Sequence, residues 1–471
     1  MGSADAGGMD HFADPSDPNT ELSTIPSPLV DSRPLASTAG SGGDIERRED
    51  PAAAGQFNAA GRKATVSAVL VVVGSFCLTV ATYGLMSAMG LCQVYWQEHQ
   101  LSHLSPTEIS WIGSVFAFLD CLLGLPFGLV FDRWGSRFVL PAASVVYWLS
   151  LLSLAWCTTY GHFMACFIIA GISGAVPTTV AFCVIDHWFS RHRAFAMGIV
   201  TTGAPIGGIL FSLVFRSLFT RFEWKTSAYC FSSMVALLVL VGSLLVKSKP
   251  TEYNPIFWDF GHLRGPDFLL FTFANFGNVL LPSCASCSAD TGGRQVFELV
   301  LYTQWGSLPV FASLIGIGDV FYLQVAYNIG ATLGRTAPTW LAVRWGPVNV
   351  VSFMTIFTLS VICAVWIPFG DHNAPALYVV AFGMGVGTGS FVPLAGSGYG
   401  KWFGSSYAAA SVGSLIGNPI NQAILEKGGL KGAGPKLSVA FQGILLLLAL
   451  TACCCVRWVC LHRRWLWLAK V

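Results

Sequence analysis

Of the 471 residues, 54% are hydrophobic and 11% charged, with a mean hydropathy of +0.62; this excludes a water-soluble domain, which could not cover so much apolar surface. A net charge of +2 gives no electrostatic footprint for a nucleic-acid partner. The fourteen cysteines contain one CxxC step, Cys284 and Cys287, with no second pair, so no metal centre is expected and most read as small apolar packing residues.

Residues 1–60 are rich in Gly, Ala, Ser, Pro and Asp and nearly lack aromatics, so they are expected to stay a disordered cytoplasmic tail. They lack the basic start and apolar core of a signal peptide, which leaves insertion to the first apolar run. From Thr65 onward come runs of about 20 apolar residues, the length at which a helix satisfies its own backbone across hydrocarbon. One set comprises Thr65–Leu91, Glu108–Phe131, Phe138–Cys157, Phe163–Ile185, Ala194–Phe215 and Ser227–Val246. The other comprises a broken run within Asp267–Phe311, then Val320–Val343, Val348–Phe369, Ala376–Ala395, Phe403–Leu425 and Leu437–Val459. The pattern predicts an all-α membrane protein of about twelve transmembrane helices in two halves, 61–247 and 267–460. A central cytoplasmic loop, 248–266, joins them, and 461–471 form a C-terminal tail. Lys and Arg gather in the segments that face inward if the N-terminus is cytoplasmic, among them Arg133, Arg137, Lys247, Arg344 and Arg463, which places both termini in the cytoplasm.

Segment 277–295 interrupts the seventh run with Pro, Ser, Cys, Gly and Arg, and joining Phe276 to Val296 would restore a continuous span. It reads as an insertion or a translated intron; its presence in every spliced transcript would remove the intron reading.

Three places carry chemistry. In GLPFGLVFDRWGSR, Gly124 and Gly128 are four apart and permit close helix approach, while Asp132, Arg133, Gly135 and Arg137 stand at the water boundary. A charged pair there can lock or release a neighbouring helix end; the alternative is a tight turn with stop-transfer charges. In Val320–Val343, the residues Gln324, Asn328, Thr332 and Arg335 fall on one helical face. An Arg at that depth needs a compensating partner, either a carried anion or a structural carboxylate. Asp120 lies near the middle of its span among Phe118, Leu119 and Leu122, as a candidate for proton coupling or a packing hydrogen-bond donor.

The glycine and charge pattern of Gly124–Arg137 resembles the loop between helices 2 and 3 of the major facilitator superfamily. SPTEISWIGS (Ser105–Ser114), HWFSRHRAFAMGI (His187–Ile199), GAPIGGI (Gly203–Ile209) and LIGNPINQAIL (Leu415–Leu425) resemble its fungal monocarboxylate-transporter-like branch. The resemblance implies alternating access between two halves. It also implies that Arg335 holds a substrate carboxylate, with Asn328, Gln324 and Thr332 lining the same site. Two departures from proton-coupled members stand out: the position four before Arg335 is Ala331, and Thr65–Gln97 contains no Lys or Arg. Gly203, Pro205, Gly207 and Gly208, with Gly417, Asn418 and Pro419, suit close helix packing, and the first group also suits a hinge.

No GxxxxGK[ST] motif and no clustered His or paired carboxylates point to an ATPase or other enzyme, and no cofactor is expected. The expected function is secondary active or facilitative transport of a small organic solute, a carboxylate or a secondary metabolite, in the plasma membrane, with a vacuolar or other internal membrane as the alternative. The expected partners are that substrate, the lipid bilayer and, as a coupling ion, protons. A non-transporting sensor or scaffold on the same fold is the alternative.

Overall fold

A computed structural model describes residues 66–189, 193–248, 288–316, 319–370, 373–390, 400–427 and 433–460. The expected tails 1–60 and 461–471, the loop 248–266 beyond Ser248, and 267–287 lie outside the described residues.

The described residues are helical almost throughout. In chain order the helices are α1 (66–98), α2 (Pro106–Trp134), α3 (Ser136–Ser153), α4 (Tyr160–Trp188), α5 (Arg193–Arg221) and α6 (Trp224–Leu245). Then come α7 (Ser288–Ile315), α8 (Val320–Trp345), α9 (347–369), α10 (Ala374–Gly389), α11 (Gly400–Lys427) and α12 (Gly434–Cys460). Among the described residues, eight of these are long and apolar enough to cross a membrane, and α7 and α10 carry shorter apolar stretches, Leu299–Ile315 and Ala374–Gly389. The remaining two, α8 and α11, carry buried polar residues: Gln324, Asn328 and Arg335 on α8, and Ser411, Ser414, Asn418, Asn421 and Gln422 on α11. The chain is an integral multi-pass membrane protein.

α7 begins at Ser288, so 288–295, the last part of the expected insertion, is helical backbone continuous with Val296 onward. The earlier part, 277–287, lies outside the described residues.

The helices sort into layers by how much side-chain surface they leave to lipid. Two-thirds or more of the best apolar window is buried in α1 and α4, at 67% and 78%, but only 33% in α6 and α9. Leu237, Leu240 and Leu244 of α6 and Phe353 and Ile356 of α9 are exposed, as befits helices whose outer face is solvated by acyl chains.

An internal repeat organises the bundle. α2 ends in Arg133-Trp134-Gly135 and α8 in Arg344-Trp345-Gly346, and in both cases the next helix starts at once. Gly135 (φ 67°) and Gly346 (φ 86°) both adopt the left-handed conformation that a side chain disfavours, and their amides close the preceding helices on Phe131 O (2.7 Å) and Ala342 O (2.9 Å). The packing repeats too: α2 lies along α4 as α8 lies along α10, and α3 along α6 as α9 along α12. Between the halves, α2 meets α11 while its counterpart α8 meets α5, and α1 meets α7. The seam between two repeats is where a solute path can be lined by both.

Candidate functional site

The polar face of α8 lies on this seam. Gln324, Asn328 and Arg335 are buried and Thr332 is partly so. Gln324 Nε2 donates to Ser87 O of α1 at 2.6 Å, and Ser87 Oγ donates to Asn328 Oδ1 at 2.8 Å. Asn328 Nδ2 donates back to Gln324 O at 2.9 Å, and Thr332 Oγ1 to Asn328 O at 2.9 Å. One turn further, an Arg335 guanidinium nitrogen donates to the backbone carbonyl of Thr201 on α5. The face thus bonds directly to both α1 and α5, as the helical spacing of its residues requires. Gln324 keeps a buried Oε1 with no partner.

Two glycines let the neighbours come this close. A Cβ on Gly208 of α5 would stand 2.6 Å from the Asn328 amide, and one on Gly84 of α1 would stand 2.6 Å from Gly207 Cα. Gly203 faces Thr79, whose hydroxyl donates to Val200 O at 2.9 Å. Gly84 ends a π-helical turn, Val80–Gly84, and this turn packs on α5; such turns often mark sites where a helix is held open. Pro205 is buried within the same contact region.

Asp120 does not join this cluster. It is 2% exposed, accepts from Thr178 Oγ1 of α4 at 3.1 Å through Oδ1, and leaves Oδ2 buried without a partner. Gly174 of α4 and the ring of Tyr147 of α3 crowd the same space, and the Tyr147 hydroxyl donates to Ala81 O, inside the π-helical turn of α1, at 3.2 Å. Among the described residues, Asp120 and Arg335 are the two charged side chains that are buried.

At the end of α2, Arg133 and Arg137 are exposed and Arg137 lies 5.5 Å from the Phe138 ring. The Asp132 side chain is outside the described residues. A Cβ on Gly124 or Gly128 would meet Thr179 at 3.4 or 3.6 Å, ordinary contact distances. The loop is tied down instead by Ser136, which exchanges hydrogen bonds with Ser248 (3.2 and 3.1 Å). On α11, Gly417 faces Thr303 and Leu299 of α7, Asn418 lies over Gly306, and Pro419 is buried.

Residue spacing alone missed two features. Gly330 and Gly334 of α8 abut the backbone of Phe382 and Val386, and Gly385 and Gly389 of α10 abut Tyr327 and Ala331. Glycines four apart on both helices were the available signal. The other is the closure of the end near the α1–α2 loop. There Ser105 and Glu108 form a capping box on α2, and the free amide of Thr107 donates to Glu426 Oε1 of α11 at 2.8 Å. Arg216 of α5 pairs there with Asp319, just before α8, at 2.7 Å. Both links join one half to the other.

A small cleft lies beneath these links between α1, α2, α7 and α11, with Met89, Trp96, Ser114, Tyr302, Trp305 and Asn418 among its walls.

Known proteins match this arrangement along most of its length. MFS-type transporter 1 of Ophiocordyceps sp. is 28% identical over 383 residues, covering 77% of this chain and 80% of that one. The aspyridones efflux protein of Emericella nidulans is 27% identical, covering 76% and 72%, and the riboflavin transporter of Saccharomyces cerevisiae 26%, covering 76% and 72%. The crystal structure of the human organic anion transporter MFSD10 (TETRAN) superposes with a TM-score of 0.62 over 82% of this chain and 98% of that chain, at 16% identity, and so shares the fold. The sequence profile of the Major Facilitator Superfamily matches residues 65–398, so the chain is a transporter of that superfamily, embedded in a membrane and acting on a small molecule.

Proposed function

We propose that this chain is a secondary active or facilitative carrier of a small organic solute, a carboxylate or a secondary metabolite, in the fungal monocarboxylate-transporter-like branch. The observation that carries this reading is the buried α8 face, Gln324, Asn328 and Arg335, bonded across the seam to Ser87 and Thr201. A solute entering the seam can exchange its own acceptors for these carbonyl and amide partners, so its binding and the separation of the halves become linked events. Arg335 offers a planar fork for a carboxylate, with Asn328, Gln324 and Thr332 setting the shape around it. Asp120 is the candidate for proton coupling, since a proton there bears on Tyr147 and through it on the π-helical turn of α1. Gly128, Asp132, Arg133, Gly135 and Arg137 are proposed as the cytoplasmic gate, with both termini on that side and the plasma membrane as the location. Relatives named for efflux and for riboflavin transport support a carrier, and leave import and export as alternatives.

The test is twofold. Cells lacking the chain are profiled for metabolites that accumulate or disappear, and the compound so identified is followed as isotope flux in vesicles reconstituted with the purified chain. Flux that depends on the chain and is lost in Arg335→Gln supports the reading; no chain-dependent flux of the compound overturns it.

A further inference from the structure

The connection from α3 to α4 brings two thiols together. α3 ends at Ser153, a 3-10 turn covers Leu154–Trp156, and Cys157 leads into α4 at Tyr160. Cys157 Sγ and Cys166 Sγ, the second of these in the second turn of α4, stand 3.3 Å apart, and Ser153 Oγ lies 3.0 Å from Cys166 Sγ. Cys157 is buried and Cys166 half-buried, while Thr158, Thr159 and His162 beside them are exposed. Polar groups at exposed positions place this end of the hairpin in water rather than hydrocarbon. Trp224 Nε1 donates to Leu154 O at 2.9 Å, so the α5–α6 connection lies at the same end. In the orientation proposed above, with both termini cytoplasmic, the α3–α4 connection follows three crossings and faces out. There thiols meet oxidants rather than the reducing pool of the cytosol.

We propose that Cys157 and Cys166 are a modification site, joined in the cell as a disulfide at the outer end of the α3–α4 hairpin. The bond forms when the sulfurs close from 3.3 Å to about 2 Å. The oxidant is a low-molecular-weight disulfide such as oxidised glutathione. The thiolate of half-buried Cys166, to which Ser153 can turn its hydroxyl, attacks one sulfur of that disulfide and expels a glutathione thiolate. Cys157 then attacks Cys166 Sγ of the mixed disulfide and expels the second glutathione thiolate. The two cysteine protons end on the two departing thiolates, so two cysteines are oxidised as one disulfide is reduced. Eight residues separate the pair, so the bond removes less chain entropy than a long-range bridge would. Its effect is local: it ties the 3-10 turn, whose Leu154 O holds Trp224, to the second turn of α4, and so keeps α3 from slipping along α4. The proposal rests on the orientation reading only for the source of the oxidant.

The test follows the pair by mass spectrometry in the full chain. Cells expressing it are treated with N-ethylmaleimide before lysis, which blocks every free thiol, and the chain is then denatured and digested. Chymotrypsin cuts after Tyr160 and Phe163 and so leaves Cys157 and Cys166 on separate peptides that a disulfide alone joins. The linked peptides are expected from untreated cells, with loss of the link when dithiothreitol precedes the maleimide. The purified chain in lipid nanodiscs, once reduced, should regain the link on addition of oxidised glutathione. In Cys157→Ser, Cys166 should instead retain one glutathione, because no neighbouring thiol expels it. An epitope fused to the N-terminus reads the orientation separately: an antibody should reach it after the plasma membrane alone is permeabilised, and not in intact cells. With that orientation confirmed, maleimide on both Cys157 and Cys166 in the chain from cells overturns the proposal and leaves the two as packing groups. If the epitope lies on the other side, the orientation reading falls, and the nanodisc result then decides the pair: no link with oxidised glutathione overturns it.

Discussion

Arg216 Nε donates to Asp319 Oδ2 at 2.7 Å, and the other oxygen of the same carboxylate accepts from the Phe321 amide at 3.0 Å, capping α8. A single side chain therefore closes one end of the seam and sets the first turn of the helix that carries the polar face. The guanidinium also lies 4.5 Å from the Tyr322 ring. With 42% and 32% of the two side chains exposed, water screens the pair, and its contribution to static stability is small. If the pair acts on the balance between open and closed forms, small energies suffice.

Arg216→Glu sets two carboxylates against each other and should open this end. In a background without the native cysteines, Ser114→Cys should then react faster with a water-soluble thiol reagent than it does with Arg216 intact. Equal labelling rates would remove the gating role of the pair.

The meeting of α1 and α5 at Gly84 and Gly207 tolerates no side chain without displacing backbone. Gly84→Val should cost about 1–3 kcal/mol through overpacking, read as a lower melting temperature in detergent. Gly198→Ala is the control: a Cβ there meets nothing within 4 Å, so it should be neutral or stabilising by about 0.5–1 kcal/mol through helix propensity. If both variants melt alike, the contact does not decide stability.

Much of this was legible in the sequence for a simple reason: helix period is local. Gln324, Asn328 and Arg335 repeat at spacings that share a face, and the structure buries that face as one. The capping box at Ser105 and Glu108 is equally local. What a glycine or a carboxylate meets is not local. GAPIGGI announces close packing but not that Gly207 finds Gly84 and Gly208 finds Asn328, because those partners are set by the tertiary pairing of α5 with α1 and α8. Gly124 and Gly128, by contrast, have the spacing of a close approach yet meet Thr179 at ordinary distances. The position of Asp120, against Thr178, Gly174 and Tyr147 rather than on the seam, follows from the rotation of α2 against α3 and α4, which no single helix encodes.

Asp120→Asn should keep the hydrogen bond from Thr178 through the amide oxygen while removing the titrating group. If Asp120 couples protons, uptake by the variant becomes insensitive to an imposed pH gradient while binding persists. Unchanged pH-gradient dependence reduces the residue to a packing role between α2 and α4.

Arg335 is where the chemistry of the cargo should be most visible. Its guanidinium is 3% exposed and donates to the Thr201 carbonyl of the opposite half, so lipid cannot solvate it and its charge is compensated by protein, by cargo or by both. If an anionic solute completes the compensation, Arg335→Lys keeps the charge but loses the fork, raising the KM for anions about tenfold, and Arg335→Gln nearly abolishes their uptake. If the compensation is structural, both variants lower the yield of folded protein and leave the affinity of each folded carrier alone, because the loss falls on the seam between α5 and α8. Asn328→Ala separates the two cases further. Asn328 shares the face, accepts from Ser87 and fills the space over Gly208, so its truncation opens room beside Arg335 and should change which solutes compete. Poor expression with wild-type affinity per folded Arg335 variant would sink the ligand role and move the reading toward a neutral or zwitterionic cargo.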